Sequence, residues 1–151
     1  MKNLSSASGQ SEILTRIGNL SPADRAKWGK MSAHHMICHL TDSYLYALGE
    51  KPASSNSGLF QRTVMKWVAL KVPLSWPKGI ATRPEMEQGK GGSAPVEFNQ
   101  DRMALVAALN RFCDHLPQPV LQHPIFGSLE SDDWWRWGYL HADHHLRQFG
   151  R

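Results

Sequence analysis

Cysteine is nearly absent from this chain of 151 residues: only Cys38 and Cys113 occur. Both fall inside apolar helical patterns, where a small packed thiol is the expected role. A disulfide framework is therefore not what organises the fold, in keeping with a cytosolic setting where such bonds are scarce. Long hydrophobic runs are missing as well. The longest apolar stretch, VMKWVALKV at 64–72, is broken by lysines and too short to span a bilayer. The opening MKNLSSASGQ lacks the apolar core of a secretory signal, which makes the cytoplasm the expected compartment. The formal net charge is +4, but Lys and Arg are scattered and no DNA- or RNA-binding signature accompanies them. Neither nucleic acid nor membrane is an expected partner.

Alternating strand patterns are nearly absent too, while apolar residues recur at intervals of three and four, so the fold class is all-α. A first helix is expected over 9–19, burying Ile13, Ile17 and Leu20. SPADRAKWGK reads as a loop, punctuated by Pro22 and Gly29. Ser32 is an N-cap for a second helix that runs to about Leu48 and is closed by Gly49. Between residues 31 and 49 there is one carboxylate, Asp42, and no Lys or Arg, so this helix belongs at the centre of the fold.

KPASSNSG follows as a linker, and then a short amphipathic helix with Phe60, Val64, Trp67 and Val68 on one face and Arg62 and Lys66 on a solvated one. Residues 73–97 hold four prolines and a GKGG run, too broken for regular structure, and a loop of that length is usually functional or mobile. The next helix begins near Asn99, carries Leu105, Val106, Leu109, Phe112, Cys113 and Leu116 as its stripe, and ends at Pro117. LPQPVLQHPIFG connects it to a last helix from about Ser131 to Phe149, with Asp132 and Asp133 at its positive N-terminal end. Four substantial helices with one long connection after the second suggest a four-helix bundle with a crossover.

Histidine is what the chain concentrates. HADHH at 141–145 puts three imidazoles in one helical turn. Residues four apart lie on one face, so His141 and His145 can reach a common point, whereas His144 is turned away by about 100°. The stripe they share contains Trp134, Trp137, Gly138 and Gln148, which makes it the core-facing side. A buried imidazole needs a partner for each nitrogen, and a metal ion supplies one.

His39 is the natural third ligand because it lies in the charge-poor second helix. Counted from Ser32 it sits ~10 Å along the axis, and the His141–His145 midpoint is ~9 Å from Phe149, so the levels match if the two helices run antiparallel. Three imidazoles around a divalent ion leave a position for water or substrate. His35, one turn before His39, is a rival fourth ligand that would make the site structural. Asp42 and His144 are candidates to orient the ligands through their second nitrogens. His34 and His115 are expected at the surface, and His123 in service of its loop.

WGKMSAHHMICHLTDS at 28–43, PKGI at 77–80 and HPIFGSLESDDWWRWGYLHADHHLRQFG at 123–150 together resemble the DinB/YfiT superfamily of metal-binding four-helix bundles, in an uncharacterised bacterial branch. The resemblance implies a single domain over 1–151, arranged up-down-down-up with the long crossover between helices 2 and 3. It implies a divalent metal, zinc or nickel, held by His39, His141 and His145. It further implies thiol-dependent transfer or hydrolysis on a small-molecule substrate, with a low-molecular-weight thiol as partner and a homodimer as assembly. A noncatalytic metal- or ligand-binding bundle is the alternative. One departure is local: Glu130 stands where that branch offers a threonine, so Ser128 or Ser131 is expected to cap the last helix.

Overall fold

A computed structural model describes residues 1–52, 58–79, 84–87, 89–115 and 122–151. Among them the chain forms five α-helices and no strand. α1 is Ala7–Gly18, α2 Ala33–Ala47, α3 Lys66–Lys71, α4 Phe98–Asp114 and α5 Ser131–Gln148. The all-α expectation holds. No helix among the described residues is long and apolar enough to cross a membrane.

The helix starts follow capping chemistry. Ser6 Oγ accepts from the Gly9 amide, so α1 begins two residues before the expected position. Ser32 caps α2 through the His35 amide, as its sequence predicts. Glu97 accepts from the amides of both Asn99 and Gln100 and starts α4. At α5 neither Ser128 nor Ser131 caps: Glu130 occupies the cap position without a side-chain bond. There the first-turn carboxylates Asp132 and Asp133 complement the positive helix end instead. α4 ends at Asp114 rather than Pro117, and Leu116 and Pro117 lie outside the described residues.

Each of α1 and α2 packs against both α4 and α5. Ile13, Ile17, Met36, Leu40, Tyr44, Leu105, Leu109, Phe112 and Leu146 are fully buried where these four meet. Tyr44 donates to the carbonyl of Gly138 at 2.9 Å, and a Cβ on Gly138 would lie 2.7 Å from the Phe112 ring and 2.9 Å from Leu4. Glycine is what lets α5 come this close.

α3 departs from the amphipathic expectation. A π-helical stretch, Gln61–Met65, runs directly into it, and the side chains of Phe60, Val64, Trp67 and Val68 point outward, Phe60 and Trp67 each 62 % exposed, while Leu70 is fully buried and Met65 and Ala69 pack against the core. The cations turn in. Lys66 and Lys71 both reach Asp133 of α5, at 3.3 and 2.6 Å, and Lys66 also donates to the Ser128 carbonyl. Arg62 packs against Gly127. A buried carboxylate demands counter-charge, and Asp133 takes it from the face the sequence assigns to solvent.

The proline-rich segment 73–97 is also less irregular than its composition suggests. Pro84–Met86 forms a 3-10 turn, tied off by Gly91 donating to Pro84 and Gly92 to Glu87. Ile80 of the PKGI segment lies outside the described residues.

Candidate metal centre

The seam between α2 and α5 brings His39, His141 and His145 together. Their rings form a triangle with centroids 5.1, 4.7 and 4.9 Å apart, and one nitrogen from each falls within 4.8 Å of the others. Nε2 of His39 and Nε2 of His141 are separated by 3.2 Å. Tetrahedral zinc with nitrogen at 2.0–2.1 Å requires its ligand atoms about 3.3 Å apart, so this pair already stands at coordination spacing.

The outer nitrogens decide which inner ones are free to coordinate. Nδ1 of His39 lies 3.3 Å from the Met86 carbonyl, which can only accept, so the proton is on Nδ1 and Nε2 presents a lone pair. Nδ1 of His145 is 3.1 Å from Oε1 of Gln148. The amide of Gln148 in turn donates to the Trp28 carbonyl at 2.7 Å, which fixes its oxygen towards His145. Gly29, with φ +77°, passes so near that amide that a Cβ would lie 2.7 Å from it. Nδ1 of His141 is buried with no hydrogen-bond partner among the described residues.

Charge on this cluster is disfavoured. Burial holds the pKa of His141 and of His145 well below the ordinary imidazole value, and their neighbouring histidines push further down. His39 is lowered too, by burial, against the opposing pull of the Met86 carbonyl and Asp42. Neutral imidazoles are what a metal ion binds. His39 and His145 are buried, while His141 keeps partial contact with solvent.

Tryptophans wall the cluster. Trp137 stands 5.2 Å from the His141 ring and Trp76 6.2 Å from it. Trp28 edges onto His144 at 5.8 Å, and Lys78 lies over the Trp28 ring. Trp76 comes from the loop after α3, where it is anchored by donation to the Ala69 carbonyl. Trp134 packs behind, against Trp137 and His123. A shallow groove of about 280 Å³ beside Trp76, lined by Lys2, Arg136, Tyr139 and Arg147 among others, contains none of the three histidines.

The other candidates sort as follows. His35 does not join the cluster: its Nδ1 lies 3.1 Å from Oγ of Ser32 at the start of α2. Asp42 is fully buried but faces away, binding the amide and hydroxyl of Ser93 at 2.8 and 2.6 Å and Lys51 at 2.8 Å. It anchors the far end of the segment that carries Met86. His144 meets the His145 ring edge-on at 5.2 Å, and its Nδ1 has no partner among the described residues. His123 accepts at Nδ1 from Ile125 and Phe126, the loop role its sequence predicts, and His115 is exposed. His34 is half-buried rather than superficial, bonded to Asp101 at 2.6 Å. Cys38 and Cys113 are both unbridged thiols.

Two partners escaped the sequence reading. Met86 acts through its main-chain carbonyl, which leaves no mark in its residue type. Gln148 carried a signal: a polar residue on the core-facing stripe, three positions after His145.

No curated protein and no solved structure matches the chain. The family model described as a protein of unknown function (DUF1569) matches residues 3–151, and the chain belongs to that family.

Proposed function

We infer that His39, His141 and His145 hold a divalent metal ion, zinc or nickel, in a DinB-like metalloenzyme acting on a small electrophilic substrate. The observation that carries this is the paired Nε2 atoms of His39 and His141 at 3.2 Å, inside a cluster whose outer nitrogens on His39 and His145 have accepting partners. When bound, such an ion acts as a Lewis acid that lowers the pKa of water or a thiol and polarises an electrophile. The protein's own part is positional: Met86 and Gln148 fix two rings, and Trp76 and Trp137 limit water. Thiol-dependent transfer or hydrolysis is the reaction class we assign.

The alternative is a noncatalytic metal- or ligand-binding bundle. A fourth protein ligand would favour it, and His35 is engaged with Ser32 instead. Three ligands favour the enzyme.

The architecture we propose is one domain over 1–151 with its long helices up-down-down-up. Support comes from paired contacts: Glu12 with Tyr139 and Arg16 with Asp143 run in the same sense, as do His34 with Asp101 and Tyr44 with Phe112. Across α2 and α5, His39 meets His141 while Tyr44 meets Gly138, the opposite sense. We assign the Phe60–Trp67 face to a second copy of this chain. Lys66 and Lys71 are drawn to Asp133, and Phe60, Val64, Trp67 and Val68 are left as an exposed apolar surface of roughly several hundred Å², the composition of an interface core. Sedimentation should give a dimer that Trp67→Glu dissociates; a wild-type monomer sinks this assignment.

The test of the centre is metal content. Purified wild-type protein should carry one equivalent more divalent metal than His141→Ala, and transfer and hydrolysis screens should show activity in the first alone. Equal metal in the two proteins overturns the reading.

A further inference from the structure

The geometry points to a second divalent-metal site, built from His34 Nε2, Cys38 Sγ and Asp101 Oδ2 across the seam between α2 and α4. These three atoms lie within 4.8 Å of one another. They are distinct from the histidine triangle although they begin on the same helix. The sequence AHHMICH at 33–39 contains two pairs four residues apart, His34 with Cys38 and His35 with His39, displaced about 100° around the axis. His39 is turned to α5, and His34 and Cys38 are turned to α4.

One carboxylate oxygen gathers the cluster. Oδ2 of Asp101 is 2.6 Å from His34 Nε2, 3.9 Å from Cys38 Sγ and 2.9 Å from the Val96 amide. The imidazole N–H and the thiol S–H both point at this oxygen, so without metal two protons occupy the space among the three heavy atoms. A zinc-class ion replaces both. Zinc sits about 2.3 Å from sulfur and about 2.0–2.2 Å from nitrogen and oxygen, which sets its ligands ~3.3–3.7 Å apart. The carboxylate and imidazole must part by less than about 1 Å, and the sulfur is already near its place.

The frame for this is firm. Ser32 caps α2 two residues before His34, Glu97 caps α4 four residues before Asp101, and Phe98 meets the His34 ring edge-on at 5.4 Å. The side chains of His34 and Asp101 are 23 % and 20 % exposed, so an ion enters from solvent and its fourth position faces water. Thiolate with imidazole and carboxylate selects a borderline ion such as zinc over magnesium or calcium. Bound there, it ties the start of α2 to the start of α4. The site is independent of the three-histidine centre and stands or falls separately.

Cobalt(II) is the probe, because cysteine ligation gives a near-ultraviolet sulfur-to-cobalt charge-transfer band that histidine ligation does not. Reduced, metal-stripped wild-type protein titrated with cobalt(II) should develop this band at saturation. It should persist in Cys113→Ser and in His141→Ala, disappear in Cys38→Ser, and need at least tenfold more cobalt in Asp101→Asn. With only two cysteines in the chain, a band in Cys113→Ser comes from Cys38 even if Cys38→Ser does not fold. No band in the wild type, or its loss in Cys113→Ser, overturns the proposal. Loss of the three-histidine site alone appears as a cobalt equivalent missing from His141→Ala with the band intact.

Discussion

Gln148 stands between His145 and Trp28: its side-chain oxygen lies 3.1 Å from the histidine Nδ1, and its amide donates to the Trp28 carbonyl at 2.7 Å. The ring of His145 is therefore aimed by a residue one turn along its own helix, itself held by the loop before α2. Partners of this kind are worth 10–100-fold in metal affinity. Gln148→Ala should weaken zinc binding by about that factor while the helical circular dichroism is unchanged. Unaltered affinity in a competition titration with a chelator would mean the ring is held by packing alone.

Asp42 acts at a distance. It is fully buried, and its bonds to Ser93 and Lys51 hold one end of the segment whose other end gives the Met86 carbonyl to His39. Asp42→Ala strands the Ser93 amide and a partly buried lysine, at a cost of about 3–5 kcal/mol. Urea unfolding should show that loss, and His39 should lose its fixed orientation with it. The readout is a fall in metal affinity measured below the unfolding transition; affinity equal to wild type would separate Asp42 from the centre.

Acid should destabilise the metal-free protein through the same histidines. His39, His141 and His145 have folded pKa values below the ordinary imidazole value, so below that value the unfolded chain binds protons that the folded one does not. Stability is then complete above the unfolded imidazole pKa and declines as pH falls beneath it, by up to about 1.4 kcal/mol per pH unit for each group. The urea midpoint should drop between about pH 7.5 and about pH 5.5. A flat profile over that window would show the rings to be freely hydrated.

Gly138→Ala gains about 1 kcal/mol of helix propensity but must push the Phe112 ring and Leu4 from contacts of 2.7 and 2.9 Å. Overpacking of this kind costs about 1–3 kcal/mol. The net expectation is a loss of about 1 kcal/mol, read as a lower thermal midpoint. A raised midpoint would mean that α5 shifts freely against α4.

Helix positions were legible because caps and periodicity are local. Ser32, Gly49 and the charge-poor 31–49 stretch placed α2 to within a residue, and the four-residue spacing of His141 and His145 placed both on one face with His39 opposite. What failed was long-range. Nothing near Arg62 or Lys66 announces that Asp133, some seventy residues on, will draw the lysines inward, so the apolar face of α3 was read as its buried side. Cys38 is the packed thiol its pattern predicts, but the presence of Asp101 beside it is set only by the pairing of α2 with α4. His34 was assigned to the surface for the same reason.

The acceptor for His39 is a carbonyl of the main chain, and every amino acid supplies one. Replacing Met86 by another side chain leaves that oxygen in existence, whereas lengthening or shortening the stretch between Pro84 and Ser93 moves it. The centre is consequently sensitive to insertion there, and what the stretch must keep is its path: Gly89 turns at φ +84°, a Cβ on Gly91 would lie 2.8 Å from the Glu85 backbone, and Ser93 holds Asp42.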